Sequence, residues 1–160
     1  MLIAILSDSH DNVEALARAL DGVRASGVEA ILHLGDIVSP FAARLLPSSG
    51  LPVLAVYGNN DGERNGLAAL LDIASPPRPV LLGGKRFILH HDPAFPHASP
   101  PACDYCLFGH THAREDRQAG TVRVINPGEA GGWLTGTCSF ALLDTASDRL
   151  EFVEFARKTL

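Results

Sequence analysis

The chain alternates short apolar runs with polar turns, and the grammar of that alternation changes about halfway along. Leu2 to Leu6 is uninterrupted, as expected of a strand buried on both faces. It gives way to Ser7-Asp8-Ser9-His10; Asp11-Asn12-Val13-Glu14 then offers a capping box, and Leu16, Leu20 and Val23 recur at helical spacing until Gly27. A second run, Val28 to Leu34, ends in Gly35-Asp36 and leads to a short helix near Phe41 to Leu46. A third, Val53 to Tyr57, ends in Gly58-Asn59-Asn60-Asp61 and predicts a helix across Leu67 to Leu71. Three β-α units in succession imply a parallel core sheet with right-handed crossovers.

Beyond Pro79 hairpins replace helices. Val80 to Leu82 and Arg86 to Leu89 flank Gly83-Gly84, and the second of these strands runs into His90-His91-Asp92-Pro93. A Pro-rich loop spans Pro93 to Pro101. Cys106 to Phe108 forms a brief strand ending in Gly109-His110-Thr111-His112, followed by a hairpin about Gly120 into Val122 to Ile125 and a turn at Asn126-Pro127-Gly128-Glu129. Cys138 to Leu143 and Leu150 to Phe155 read as one more hairpin. This pattern predicts an α/β fold, two mixed sheets packed face to face with helices outside. With no linker or repeat, residues 1–160 are expected to form a single domain.

Composition narrows the picture. With 46% hydrophobic and 19% charged residues the chain reads as globular. Its apolar N-terminal stretch is too short for a signal or a membrane span, which predicts a cytoplasmic protein without a membrane partner. A net charge of −5 without a basic run counts against an extended nucleic-acid surface. Cys103, Cys106 and Cys138 are an odd count, and the CxxC lacks a second pair, so small packing residues are the better reading than zinc or redox chemistry.

The chemistry lies at the ends of the apolar runs. Five of them end in a group able to bind metal: Asp8 with His10, Asp36, Asn59, His91, and His110 with His112. Gly35, Gly58 and Gly109 would permit the tight turns that bring ligands from separate strands to one rim. Imidazole and oxygen without thiolate suit manganese, iron, zinc, nickel or cobalt better than a soft-metal cluster. The donors exceed what one ion needs, and two ions about 3.5 to 4 Å apart, sharing a carboxylate, would use them. Such a centre stays positive and suits a phosphate oxyanion, with a bridging hydroxide attacking phosphorus in line.

Asp8-x-His10, Gly35-Asp36, Gly58-Asn59-x-Asp61, a histidine after the fourth run and Gly109-His110-x-His112 together resemble the calcineurin-like metallophosphoesterase superfamily. Val38, the hairpin into His91 and Ile125-Asn126-Pro127-Gly128 resemble its small single-domain phosphodiesterases most. The resemblance implies a four-layer α/β/β/α sandwich and two divalent transition-metal ions, manganese first, with nickel, iron, zinc or cobalt as alternatives. It implies that Asp8, His10 and His112 hold one ion, that Asn59, His91 and His110 hold the other, that Asp36 bridges, and that Asp36, Asn59 and Asp61 take part in catalysis. Relatives usually write the strand end as Thr-His-Gly. Here His90 and His91 stand together, and the register favours His91 over His90. Asn60 departs from superfamily phosphatases whose imidazole at this position is thought to protonate the leaving group. If an imidazole stood there, Asp61 would be placed to orient it.

The expected substrate is a small phosphate ester, a phosphodiester first, with a phosphomonoesterase or nuclease of the same superfamily as alternatives. A scaffold that assembles protein complexes is the alternative outside enzymes; relatives that work that way have lost ligands, and none is missing here. Of the remaining residues, His33 reads as a hydrogen-bonded packing residue and His97 as a candidate for a substrate loop. Trp133 reads as packing or as a contact in a homo-oligomer, and Arg64 and Arg114 as phosphate clamps or solvated side chains.

Overall fold

The computed structural model describes residues 1–94 and 102–158; His97 and most of the Pro-rich loop lie outside the described residues. Two mixed sheets carry the fold. In the first, β1 (Leu2–Leu6), β2 (Ala30–His33), β3 (Val53–Val56) and β4 (Asp72–Ala74) run parallel, and β10 (Thr137–Asp144) and β11 (Arg149–Ala156) extend it antiparallel in the order β11-β10-β1-β2-β3-β4. The second has the order β5-β6-β7-β9-β8, from β5 (Arg78–Leu82), β6 (Lys85–Leu89), β7 (Tyr105–Leu107), β8 (Arg114–Ala119) and β9 (Val122–Pro127). Strands β6, β7 and β9 are parallel there, with an antiparallel partner at each side.

Period-2 alternation explains why the apolar runs are continuous. Ile3 and Ile5 of β1, Ala30 and Leu32 of β2, and Ala141 and Leu143 of β10 meet Phe87, Leu89, Tyr105 and Leu107 of the second sheet in one buried cluster. Their strand neighbours Ala4, Leu6, Ile31, Phe140 and Leu142 face the other way, onto helix α1 (Val13–Ala25) through Leu16, Ala19, Leu20 and Val23. Each fully buried Leu, Ile or Phe contributes roughly 1.5–3 kcal/mol relative to exposure. Short helices α2 (Pro40–Ala43) and α3 (Arg64–Ala68) complete this layer through Ala43 and Leu67. The outer face of the second sheet gathers a smaller cluster of Cys103, Cys106, Phe108, Val122 and Val124. Burial pushes the Cys106 thiol up to about 12 and raises that of Cys103 as well, against thiolate chemistry at this pair.

Several boundaries differ from the sequence expectation. Asn12 caps α1 by accepting from Ala15 N at 3.2 Å, while Glu14 faces Lys158, so the cap is a single Asx bond and no box forms. The helix expected over Leu67 to Leu71 lies earlier, and the chain then returns to the sheet as β4, three residues that carry no readable period. The helix expected near Phe41 to Leu46 ends at Ala43 and tightens into i→i+3 turns before Pro47. Asn126 and Pro127, expected as a turn, continue β9. Among the described residues no helix is long and apolar enough to cross a membrane.

Candidate metal centre

The carboxyl ends of β1, β2 and β3 and those of β6 and β7 open onto the same edge of the sandwich, as ligand-bearing ends do in α/β sheets. There the chain turns sharply. Asp8, His10, Asp36, His110 and His112 have φ between +42° and +68°, and Val38 stands at +88°. Non-glycine residues in this region cost roughly 1–3 kcal/mol each and persist only when their surroundings fix them. The fixing bonds are present: Asp8 N donates to Gly35 O (3.1 Å), His10 N to Asp36 O (3.0 Å), and Gly109 N to His91 O (3.1 Å). Two glycines are dictated by closeness. A Cβ on Gly58 would lie 2.1 Å from Asp36 Oδ1, and one on Gly109 2.0 Å from Ser7 Oγ.

Two groups of candidate ligands result. In the first, Asp8 Oδ1 lies 3.6 Å from His10 Nε2 and 3.5 Å from His112 Nε2, and the two ring nitrogens are 3.4 Å apart. In the second, Asn59 Oδ1 lies 2.9 Å from His91 Nε2 and 2.8 Å from His110 Nδ1, with Asp36 Oδ2 3.4 Å from His91 Nε2. Asp36 Oδ2 is also 3.6 Å from His10 Nε2, so one oxygen borders both groups. His91 is 3% exposed and turned into the centre, whereas His90 bonds the backbone of Asp92.

The donor set fits divalent cations. Ligand atoms bound to one ion at about 2.0–2.1 Å stand roughly 3–3.5 Å apart, close to the 3.4–3.6 Å of the first group. Asp8 Oδ2 accepts from His110 N at 3.0 Å, but Oδ1, equally buried, has no hydrogen-bond partner. A buried carboxylate oxygen without a hydrogen-bond donor, facing two imidazoles at 3.6 and 3.5 Å, is costly without a cation. Among the described residues, the ion pairs of Asp8 and Asp36 are all with imidazoles. Burial raises the Asp36 carboxyl, but His91 and Asn60 outweigh it and hold it well below the usual carboxylate range. Asp8 is likewise pushed up by burial and brought down on balance by His10. His10 is raised by Asp8, and His91, although burial lowers it, is raised on balance by Asp36.

Asp61 occupies a different place from the one expected. Its carboxylate accepts from Asp36 N (2.9 Å), Gly58 N (2.7 Å) and Val38 N (2.7 Å), so it staples two strand-end loops and is not free to orient the side chain at position 60. Asn60 instead donates its N and Nδ2 to the two oxygens of Asp36, at 2.8 and 2.7 Å. His33 is fully buried, with Nε2 3.3 Å from Ser9 Oγ, and burial lowers its pKa to about 4. Arg64 lies over the Tyr57 ring and lines a cleft with Asn59, His91 and His110. Arg114 pairs with Glu154 at 2.8 Å.

One buried carboxylate at the site was not legible in the sequence. Glu129, fully buried, accepts from His112 Nδ1 at 2.8 Å and from the amides of Trp133 and Thr135 at 2.8 and 2.6 Å. The only signal was a lone acid among small residues after Pro127-Gly128. With Nδ1–H held by Glu129, the lone pair of His112 Nε2 faces the centre, the arrangement that raises the basicity of a metal-binding imidazole. Glu129→Gln is expected to weaken metal binding by about 10- to 100-fold, read by calorimetric titration of the metal-free protein. Unchanged affinity would refute the orienting role.

Donor set, family match and relatives together make the chain a metal-dependent phosphoesterase. A model of the calcineurin-like phosphoesterase superfamily domain matches residues 1–148, and the chain belongs to that superfamily. It is 34% identical over 155 residues to the phosphodiesterase MJ0936 of Methanocaldococcus jannaschii, covering 91% of this chain and 93% of that protein. Phosphodiesterase YfcE of Escherichia coli K12 is 29% identical over 161 residues, covering 90% and 88%. The solved structure of a novel archaeal phosphodiesterase superposes with a TM-score of 0.90 at 30% identity, covering 97% of this chain and all of the other. The expected family and two-sheet α/β sandwich therefore hold.

Proposed function

We propose that the chain, as one domain over residues 1–160, is a dinuclear phosphodiesterase acting on small phosphodiesters. In this reading Asp8, His10 and His112 hold one divalent ion, Asn59, His91 and His110 the other, and Asp36 lies between them. The observation that carries it is the single oxygen Asp36 Oδ2, within 3.6 Å of His10 and 3.4 Å of His91. When bound, the two ions would supply a water acidified toward neutral pH and positive charge for the oxygens on phosphorus. The protein's own part is positional. Asn60 holds Asp36 through both oxygens, Glu129 holds His112, and the Leu34 carbonyl, 2.8 Å from His91 Nδ1, holds His91. Asn60 has no proton to transfer, which favours esters whose leaving groups depart unaided, such as aryl oxides. Imidazole donors favour manganese or another transition metal over magnesium.

Chelation should abolish hydrolysis of a chromogenic aryl phosphodiester, manganese should restore it better than magnesium, and the diester should be cut faster than the matching monoester. Metal analysis should find two ions per chain. One ion per chain would overturn the dinuclear reading, equal rates with magnesium the choice of ion, and a faster monoester the choice of substrate.

A further inference from the structure

Beside the first ligand group the surface turns apolar. Trp133 is 50% exposed and Leu134 75%, and with His10 and His112 they line one cleft of about 290 Å³. Single exposed apolar residues are ordinary on a protein surface. These two differ because the segment carrying them is fastened to the centre itself. The amides of Trp133, Leu134 and Thr135 donate to Glu129, the carboxylate that also holds His112. Gly131 N donates to Asp8 O at 3.0 Å, Asn12 Nδ2 to Gly131 O at 2.7 Å, and the indole Nε1 to His10 O at 3.1 Å. Arg157 lies 4.5 Å over the indole and backs the ring. The wall is thus set in register with two of the imidazoles that would face the phosphate.

We propose that Trp133 and Leu134 form the subsite for one organic substituent of the phosphodiester, and that this subsite selects a planar aromatic group over a short alkyl chain. The inference rests on the phosphodiesterase reading and adds the substituent's chemistry. A diester keeps an organic group on each side of phosphorus, so a phosphate centred between the ligand groups sends one of them past His10 and His112 onto this wall. An indole fixed by its hydrogen bond to His10 O, with Arg157 over one face, offers its remaining exposed surface to an aromatic group at little ordering cost. At about 290 Å³ the cleft lies just below the usual range for small-molecule sites, about 300–1,000 Å³, and has room for one ring system.

Trp133 is the only tryptophan of the chain, so its fluorescence reports on the subsite directly. The experiment compares methyl and phenyl p-nitrophenyl phosphates, which share a leaving group, in the manganese-loaded protein, Trp133→Ala, Trp133→Phe and Leu134→Ser. Methylphosphonate and phenylphosphonate are titrated in parallel against the fluorescence of the unmodified protein. Trp133→Ala should lower the phenyl-to-methyl ratio of kcat/KM by about tenfold, mainly through KM, and Trp133→Phe should recover most of it. Leu134→Ser should shift the ratio the same way by a smaller factor. Phenylphosphonate should change the fluorescence and methylphosphonate should not. Equal losses on both esters, or fluorescence indifferent to phenylphosphonate, would overturn the subsite. If the unmodified protein cuts neither ester, the phosphodiesterase reading fails, and the fluorescence titration alone decides whether an aromatic group binds at Trp133.

Discussion

Asp36→Asn is expected to lower phosphodiester hydrolysis by about 10²- to 10³-fold, the scale on which removal of one preorganised charge-stabilising group acts, and to reduce metal content below two ions per chain. The argument is geometric first. Asp36 Oδ2 borders both groups, 3.6 Å from His10 Nε2 and 3.4 Å from His91 Nε2, so an amide there removes negative charge from both at once. It also puts an NH₂ group against a donor, because Asn60 gives its N to one oxygen of Asp36 and its Nδ2 to the other. These two losses can be separated. The double variant Asp36→Asn with Asn60→Asp keeps the total charge and lets an amide–carboxylate bond re-form between the two side chains, but moves the charge off the shared position. Activity and metal content that stay low in the double variant assign the effect to charge at position 36. Recovery in the double variant would mean that Asp36 acts only as a hydrogen-bond anchor.

The parts of the fold that could be read in advance are those governed by local period. Leu2 to Leu6 is legible because both of its faces are buried, one against α1 and one against the second sheet. Gly83-Gly84 and Gly120 are legible because their turns need positive φ, found at +55°, +73° and +63°. What could not be read is what distant residues decide together. Strand β4 exists only because three residues meet the edge of β3. Asp61 is occupied by amides of residues 36 and 38, more than twenty positions away, and no spacing rule connects them. Glu129 is a similar case: its meaning comes from His112 and from a loop folded back over it. Strand-end donors were recognisable as a set, since each follows an apolar run. The groups that hold those donors in place follow no such pattern.

The adjacent histidines test how far one-residue register carries chemistry. Both follow the end of β6 at Leu89, and the two rings part there. His91 sits almost fully buried between the Leu34 carbonyl at 2.8 Å, Asn59 Oδ1 at 2.9 Å and Asp36 Oδ2 at 3.4 Å. His90 lies at the margin, its Nδ1 accepting from Asp92 N at 2.9 Å, while its backbone amide bonds Leu107 O at 2.8 Å whatever the side chain is. His91→Ala is therefore expected to cost about 10²- to 10³-fold in hydrolysis together with one bound ion, because it removes the ring that closes the second candidate ligand group, 3.4 Å from Asp36 Oδ2. His90→Ala should change kcat/KM by less than about threefold, as expected of a partly exposed position without a ligand role. Kinetics and metal content of the two variants, purified side by side at one manganese concentration, separate the outcomes. Loss of the ion in His90→Ala with retention in His91→Ala would move the ligand role to the neighbouring ring, and with it the register of the loop that follows β6.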